Sequence, residues 1–184
     1  MVEAGDGVGG TWYWNRYPGA RFDSESYTYG YLFSKELFED WEWQEHFAEQ
    51  PETERYINHV VDRFDLRRHI RFGARVTAAV YDESSARWVV TLADGTEIRA
   101  RFFVAATGVL SVPFFPEVPG RADFRGESLH TGLWPATPVD FAGKRVAVVG
   151  TGSSGVQLIP PIAADVASLT VYHPTANRSK PLNN

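Results

Sequence analysis

Between residues 51 and 64 apolar side chains recur at Tyr56, Ile57, Val60, Val61 and Phe64. That three-and-four spacing marks one face of a helix, and Pro51 suits its first turn. A shorter helix is expected within residues 34–47, with Leu37, Phe38 and Trp41 on one face. The period then changes from 3.6 to 2. Residues 71–81 read as a strand, residues 87–92 alternate as a second, and Asp94-Gly95 supplies a turn into a third over 97–105. The pattern predicts a small antiparallel insertion returning to a buried strand, Phe102-Phe103-Val104-Ala105-Ala106. Residues 109–138 hold five prolines and little periodicity, and read as a connection between units. A new unit opens with the apolar, β-branched run 144–149, followed at once by a glycine-rich turn. Next come a helix with Val156, Ile159 and Ile162 inward and a strand over 169–172; Pro160 and Pro161 are expected to kink or shorten that helix. Residues 7–31 show no period but many Gly, aromatic and turn residues, the character of a long ordered loop with a functional reason to exist.

Composition narrows the function classes. With 43% apolar and 22% charged residues, the 184-residue chain has the material for a packed core, as one domain or two small ones. A net charge of −5 gives no electrostatic reason to expect nucleic acid or an anionic membrane as partner. The basic cluster Arg67-Arg68-His69 with Arg71 reads as a solvated loop. No apolar run reaches the roughly 18–20 residues of a membrane helix. The opening residues lack the features of a signal peptide. The absence of cysteine excludes disulfides and thiolate metal sites, and a cytoplasmic location with no metal is expected. Aromatics gather early, in Thr11-Trp12-Tyr13-Trp14 and at Trp41 and Trp43. Such rings suit a wall around a planar ligand and suit an ordinary core equally.

The chemistry-bearing turn is Gly150-Thr151-Gly152-Ser153-Ser154-Gly155, followed by Val156-Gln157. A G-x-G-x-x-G pattern between a predicted strand and a predicted helix is the setting in which it binds a dinucleotide. The first Gly allows the turn, the second lets backbone approach a pyrophosphate, and the third lets helix and strand pack closely. Amide N–H groups at the helix start then face the anion. Residues 172–175 contain no Asp or Glu to hold a ribose 2′-hydroxyl, which favours NADP over NAD. Arg178 and Lys180 follow, either as partners for a 2′-phosphate or as plain surface charges.

Phe124-x-Gly126-x-x-x-His130-x-x-x-Trp134-Pro135 matches without a gap the fingerprint of type I Baeyer–Villiger monooxygenases. The Trp-Pro ending separates that pattern from the one in N- and S-oxygenating flavin enzymes. Residues 9–21 resemble the family's FAD-contact loop, and Ala106-Thr107-Gly108 resembles the stretch where its chain leaves the FAD domain. The resemblance runs along nearly the whole chain. It implies an α/β fold made of parts of two Rossmann-like dinucleotide-binding domains, for FAD and NADPH, with a small antiparallel insertion. Residues 1–108 would be a partial FAD domain, 109–138 the connection and 139–184 the start of the NADPH domain. A first strand and first glycine loop, and the domains following, are expected to be missing. The piece alone would then be colourless and inactive.

The resemblance further implies that NADPH reduces the flavin. A flavin C4a-peroxide then inserts one oxygen of O2 into a small-molecule ketone, giving an ester or lactone. Glu3 would meet the FAD ribose; Thr11, Trp12, Tyr13, Trp14, Arg21, Phe22 and Tyr29 would line the flavin; the Val76 backbone would meet adenine. Asp23 matches an aspartate that positions a catalytic arginine, and a carboxylate in that aromatic setting needs a cationic partner. Thr151, Ser153, Ser154, Val156, Gln157 and Thr175 would join the glycines around NADPH. His130 and Trp134 are expected to serve domain movement more than proton transfer. Where relatives commonly carry Gln-Arg-Thr, this chain has His173-Pro174-Thr175, so the arginine used against the 2′-phosphate is lacking. Two alternatives stay open: a non-catalytic dinucleotide-binding remnant, and an N- or S-oxygenating relative.

Overall fold

The computed structural model describes residues 1–173 and 175. Two one-turn helices, α1 (Thr11–Trp14) and α2 (Ser26–Tyr29), interrupt the segment read as loop. In α3 (Lys35–Asp40) the Ser34 hydroxyl caps the first turn by accepting the Leu37 N–H, and Leu37 is wholly buried. The helix ends sooner than the spacing predicts, because Trp41 is extended (φ −114°, ψ 120°). From there Trp-Glu-Trp alternates with period two, turning Trp41 and Trp43 together onto Tyr56 at ring separations of 5.3 and 4.9 Å. Tyr56 belongs to α4 (Gln50–Arg63), which buries Tyr56, Val60 and Val61 as its pattern predicts; Phe64, just past its end, stays exposed.

The antiparallel insertion comprises β1 (Val76–Asp82), β2 (Arg87–Leu92) and β3 (Glu97–Ala100), in spatial order β1-β2-β3. Two expectations fail here. The first strand begins at Val76, and Arg71 makes only an isolated parallel bridge to Val2. The predicted buried strand over 102–106 does not form: Phe102 is 72% and Val104 84% exposed. The ladder to β2 stops at Ala100 opposite Trp88. Among the described residues no strand continues that ladder beside 102–106, and a run this apolar becomes a central strand only between neighbours.

The last unit is parallel. Strands β4 (Arg145–Val149) and β5 (Ser168–Tyr172) pair directly, joined through α5 (Ser153–Ala163). Pro160 and Pro161 stand near the end of α5, which stops two residues later at Ala163. Lacking N–H groups, they leave the Val156 and Gln157 carbonyls without their usual helical donors. Leu158 and Ile162 point inward with Val148, and this cluster also takes in Tyr17 and Ala20 from the N-terminal loop. Trp134 and Phe141 pack against it. The fold is therefore α/β with a small antiparallel sheet, and the first and last segments share one apolar core. Among the described residues no helix is long and apolar enough to cross a membrane.

Candidate functional site: a glycine loop and an aromatic cleft

Gly150 has φ +106°, a conformation open to glycine, and its N–H donates to Tyr172 O at 2.8 Å, tying the loop to the end of β5. A Cβ on Gly155 would collide with the Gly150 carbonyl oxygen, so the third glycine lets helix and loop touch. A Cβ on Gly150 or Gly152 would meet nothing within 4 Å. The second glycine thus bares backbone toward open space directly before the 11-residue α5. That is the shape a pyrophosphate needs: room, free approach to the main chain, and the positive end of a helix. Ser153 is exposed and Thr151, Ser154 and Val156 are half-buried around this loop. Thr175 is exposed. Pro174, Arg178 and Lys180, on which the expected cofactor choice depends, lie outside the described residues.

The N-terminal segment carries an aromatic cluster. Trp12 is buried and donates its indole N–H to the Tyr29 hydroxyl at 2.8 Å. Phe22 stacks on Tyr29 at 4.1 Å and meets Trp12 edge-on at 5.8 Å. A cleft of about 300 Å3 opens beside them, lined by Gly9, Thr11, Trp12, Tyr29, Tyr31 and Ile57 among others. Tyr13 turns elsewhere: its ring covers Gly5 and Gly7, and its hydroxyl accepts the Asp6 N–H. Trp14 is 42% exposed and packs edge-on against Tyr13. The Glu3 carboxylate accepts the Gly5 N–H at 2.7 Å, at the end of the Val2–Arg71 bridge. Val76 begins β1 beside an irregularity in its register and is 37% exposed, not a core residue. Arg21 pairs with Glu49 and Glu45 and also donates to Phe47 O, so it fastens the loop to the start of α4.

The two halves meet at Gln157. Its Nε2 donates to Arg21 O (2.9 Å) and Asp23 Oδ1 (3.0 Å); its Oε1 accepts from the Tyr17 hydroxyl (2.8 Å) and Arg21 N–H (3.3 Å). Asp23 is exposed, and its carboxylate accepts from this amide; the apolar aromatic setting expected for it is not what the fold provides. Burial pushes the Tyr17 hydroxyl above its ordinary pKa; a hydrogen bond with Ser154 opposes the rise and the Asp23 charge adds to it. Sequence reasoning gave Tyr17 no role of its own within the loop 9–21. It also passed over buried Gln50, which donates to Trp12 O and so holds the aromatic helix against α4.

Of the fingerprint residues, Phe124 and His130 act locally, whereas Trp134 reaches the opening loop. The Phe124 ring folds over Gly126, where a Cβ would meet it. His130 Nδ1 accepts the Gly132 N–H at 3.0 Å, and Nε2 lies 3.1 Å from Phe114 O. Trp134 meets Tyr17 edge-on at 6.5 Å and stacks on Phe141 at 6.2 Å, and half-buried Pro135 follows it.

Known proteins share this fold. The chain is 51% identical over 178 residues to the acetone monooxygenase (methyl acetate-forming) of Gordonia sp., covering 97% of this chain and 33% of that protein. It is 46% identical to a phenazine N-monooxygenase of Lysobacter antibioticus, covering 92% of this chain and 31% of that one. A solved structure described as oxidized steroid monooxygenase bound to NADP superposes with a TM-score of 0.92 at 54% identity, covering 100% of this chain and 35% of that one. The chain thus spans about a third of the length of the relatives it matches. A model of the family described as flavin-binding monooxygenase-like matches residues 2–174. By that match, and by glycine loop, aromatic cleft and fingerprint together, this chain belongs to the flavin-binding monooxygenase-like family.

Proposed function

We propose that the chain is part of an FAD- and NADPH-dependent Baeyer–Villiger monooxygenase. The reaction consumes a ketone, O2, NADPH and a proton, and yields an ester or lactone, NADP+ and water. One observation carries the reading: a carboxylate on the aromatic loop, Asp23, is bonded to Gln157 in the first turns of the helix that follows the glycine loop. Two nucleotide sites that must exchange a hydride have to face each other, and this bond joins the loops that would hold them.

The residues fit both groups. Open space over Gly152 and the start of α5 fit the NADPH pyrophosphate. The cleft walled by Trp12 and Tyr29 fits a flat ring system, with Thr11 at its mouth. Residues 1–108, 109–138 and 139–184 then correspond to flavin unit, connection and nicotinamide unit. When bound, the flavin supplies hydride acceptance and oxygen activation. The aromatic loop would exclude water from the ring face, and Asp23 would place negative charge beside it to hold a cationic partner. Glu3 would accept from the ribose through whichever oxygen the Gly5 N–H leaves free. Val76 offers backbone beside a register irregularity, where an adenine edge would bond. Arg21 would hold the loop to α4 and Phe22 would back Tyr29, while Tyr13 and Trp14 pack on each other away from the cleft.

The test is a protein of the relatives' length containing this chain. It should consume NADPH in proportion to added ketone and release the ester, read by gas chromatography. NADPH oxidation with no ester from cyclic, linear and aromatic ketones would overturn the proposal. An amine oxide formed from aromatic N-heterocycles would favour the second reading, which rests on the 46% identity to the phenazine enzyme.

A further inference from the structure

All the hydrogen-bonding directions of the Gln157 amide are occupied, and every partner lies at least 134 positions away. An amide has two N–H donors and a two-lone-pair oxygen. Here the donors meet Arg21 O and Asp23 Oδ1, and the oxygen meets Arg21 N–H and the Tyr17 hydroxyl. The main-chain pair of Arg21 fixes which way round the amide stands, since N–H requires oxygen and carbonyl requires nitrogen. The Gln157 main chain faces the same loop. A Cβ on Gly19 would collide with the Gln157 carbonyl oxygen and come within 2.8 Å of Pro161 Cγ. That carbonyl is one that a proline has deprived of its helical donor. A glutamine at this point of a dinucleotide loop is expected to serve the nucleotide. Here its amide is spent on the opposite loop.

We infer that Gln157 is a positioning residue: it fixes the Asp23 carboxylate and the Arg21 main chain relative to the glycine loop, so that loop and α5 move as one body. The inference rests on the proposed placement of Asp23 beside the flavin for its role in the reaction. The latch itself is a property of the chain without any cofactor. Its partners distinguish it from a space-filling side chain, because Asp23 demands a donor while the Tyr17 hydroxyl demands an acceptor.

The cofactor-free chain therefore tests it by a double-mutant cycle. In Q157E the new carboxylate keeps the Tyr17 and Arg21 N–H bonds but faces Asp23 and a carbonyl. The melting temperature at pH 7 should fall by about 5 °C, and the loss should shrink below about pH 4 as carboxylates protonate. Adding D23N supplies a donor and should recover about half of the loss, whereas D23N alone should change little, since its amide oxygen still accepts the Gln157 N–H. Strictly additive effects in the cycle would overturn the inference. Should Q157E not fold, D23A serves instead, because Asp23 is exposed. In D23A one Gln157 side-chain N–H should exchange with solvent about tenfold faster, while the one on Arg21 O stays protected. Equal, fast exchange of both in the unsubstituted chain would also overturn it. Failure of these tests leaves ketone oxidation standing, and failure of ketone oxidation leaves the latch measurable.

Discussion

Gly152 and Gly155 stand three positions apart and should fail in opposite ways. An added Cβ at Gly155 strikes backbone, which cannot rotate aside, so G155A should lose about 1–3 kcal/mol in urea denaturation. At Gly152 the space is empty and φ is −67°, ordinary for any residue, so G152A should cost no more than about 1 kcal/mol as a helix cap. Yet that methyl would fill the space proposed for the pyrophosphate. Calorimetric titration with NADP+ should show G152A weakened about tenfold or more despite near-normal stability; equal affinity would refute the phosphate seat. His130 presents a different economy. With Nδ1 accepting from Gly132 N–H, the neutral ring carries its proton on Nε2, directed at Phe114 O. Both nitrogens are occupied, so proton transfer through this ring would first break the connector's own bonds. Nitrogen chemical shifts of the neutral ring should show the Nε2–H tautomer. H130A should cost about 1 kcal/mol, with H130N recovering part of it, because an amide oxygen replaces Nδ1 as acceptor.

At the scale of elements, the β1–β2 hairpin carries its own titratable lock. Asp82 closes the turn by accepting from the Ser85 and Ser84 hydroxyls and the Ser84 N–H, which hold its carboxyl down to about 2 from an ordinary 3.8. A depressed carboxyl contributes stability above its unfolded value and loses it as pH falls through the folded one. The hairpin's protection against hydrogen exchange should therefore decline between about pH 4 and pH 2. D82N should remove that dependence while lowering protection at neutral pH; an unchanged acid profile would exclude the lock. Elements of this local kind were the legible ones. Strand β2 and helix α4 carry their period in their own side chains, and their spans follow the pattern within a residue. The run 102–106 looked as much like a strand as β2 does, but burial of a central strand is decided by neighbours distant in sequence. Helices α1 and α2, one turn each, have no period to read. The glycine loop was legible because three glycines at fixed spacing encode a backbone shape. Gln157 was legible only as a neighbour of that loop: its partners come from residues 17–23, and no local pattern announces a bond across 136 positions.

For the whole molecule, the deciding feature is that one apolar cluster is built from three stretches of chain. Tyr17 and Ala20 come from the opening loop, Trp134 from the connection, and Val148, Leu158 and Ile162 from the parallel unit. Were the connection merely a tether, its aromatic residue would face solvent, as Phe124 does at 65% exposure. Instead the Trp134 ring lies between Tyr17 and Phe141. W134A would leave a void shared by all three stretches. A buried Trp lost to Ala costs about 3–5 kcal/mol, and a half-buried one less, about 2–3 kcal/mol. For a chain of this length that lowers the melting temperature by roughly 6 °C. The location of the damage matters more than its size. If the cluster binds the units into one body, hydrogen exchange in W134A should quicken together in residues 17–23, in β4 and in α5, while the β1–β3 sheet, which contributes nothing to the cluster, keeps its protection. Quickening confined to residues 109–138 would show that the connection folds against itself alone. The aromatic cleft and the glycine loop would then owe their mutual orientation to Gln157 and Gly19 without help from the fingerprint.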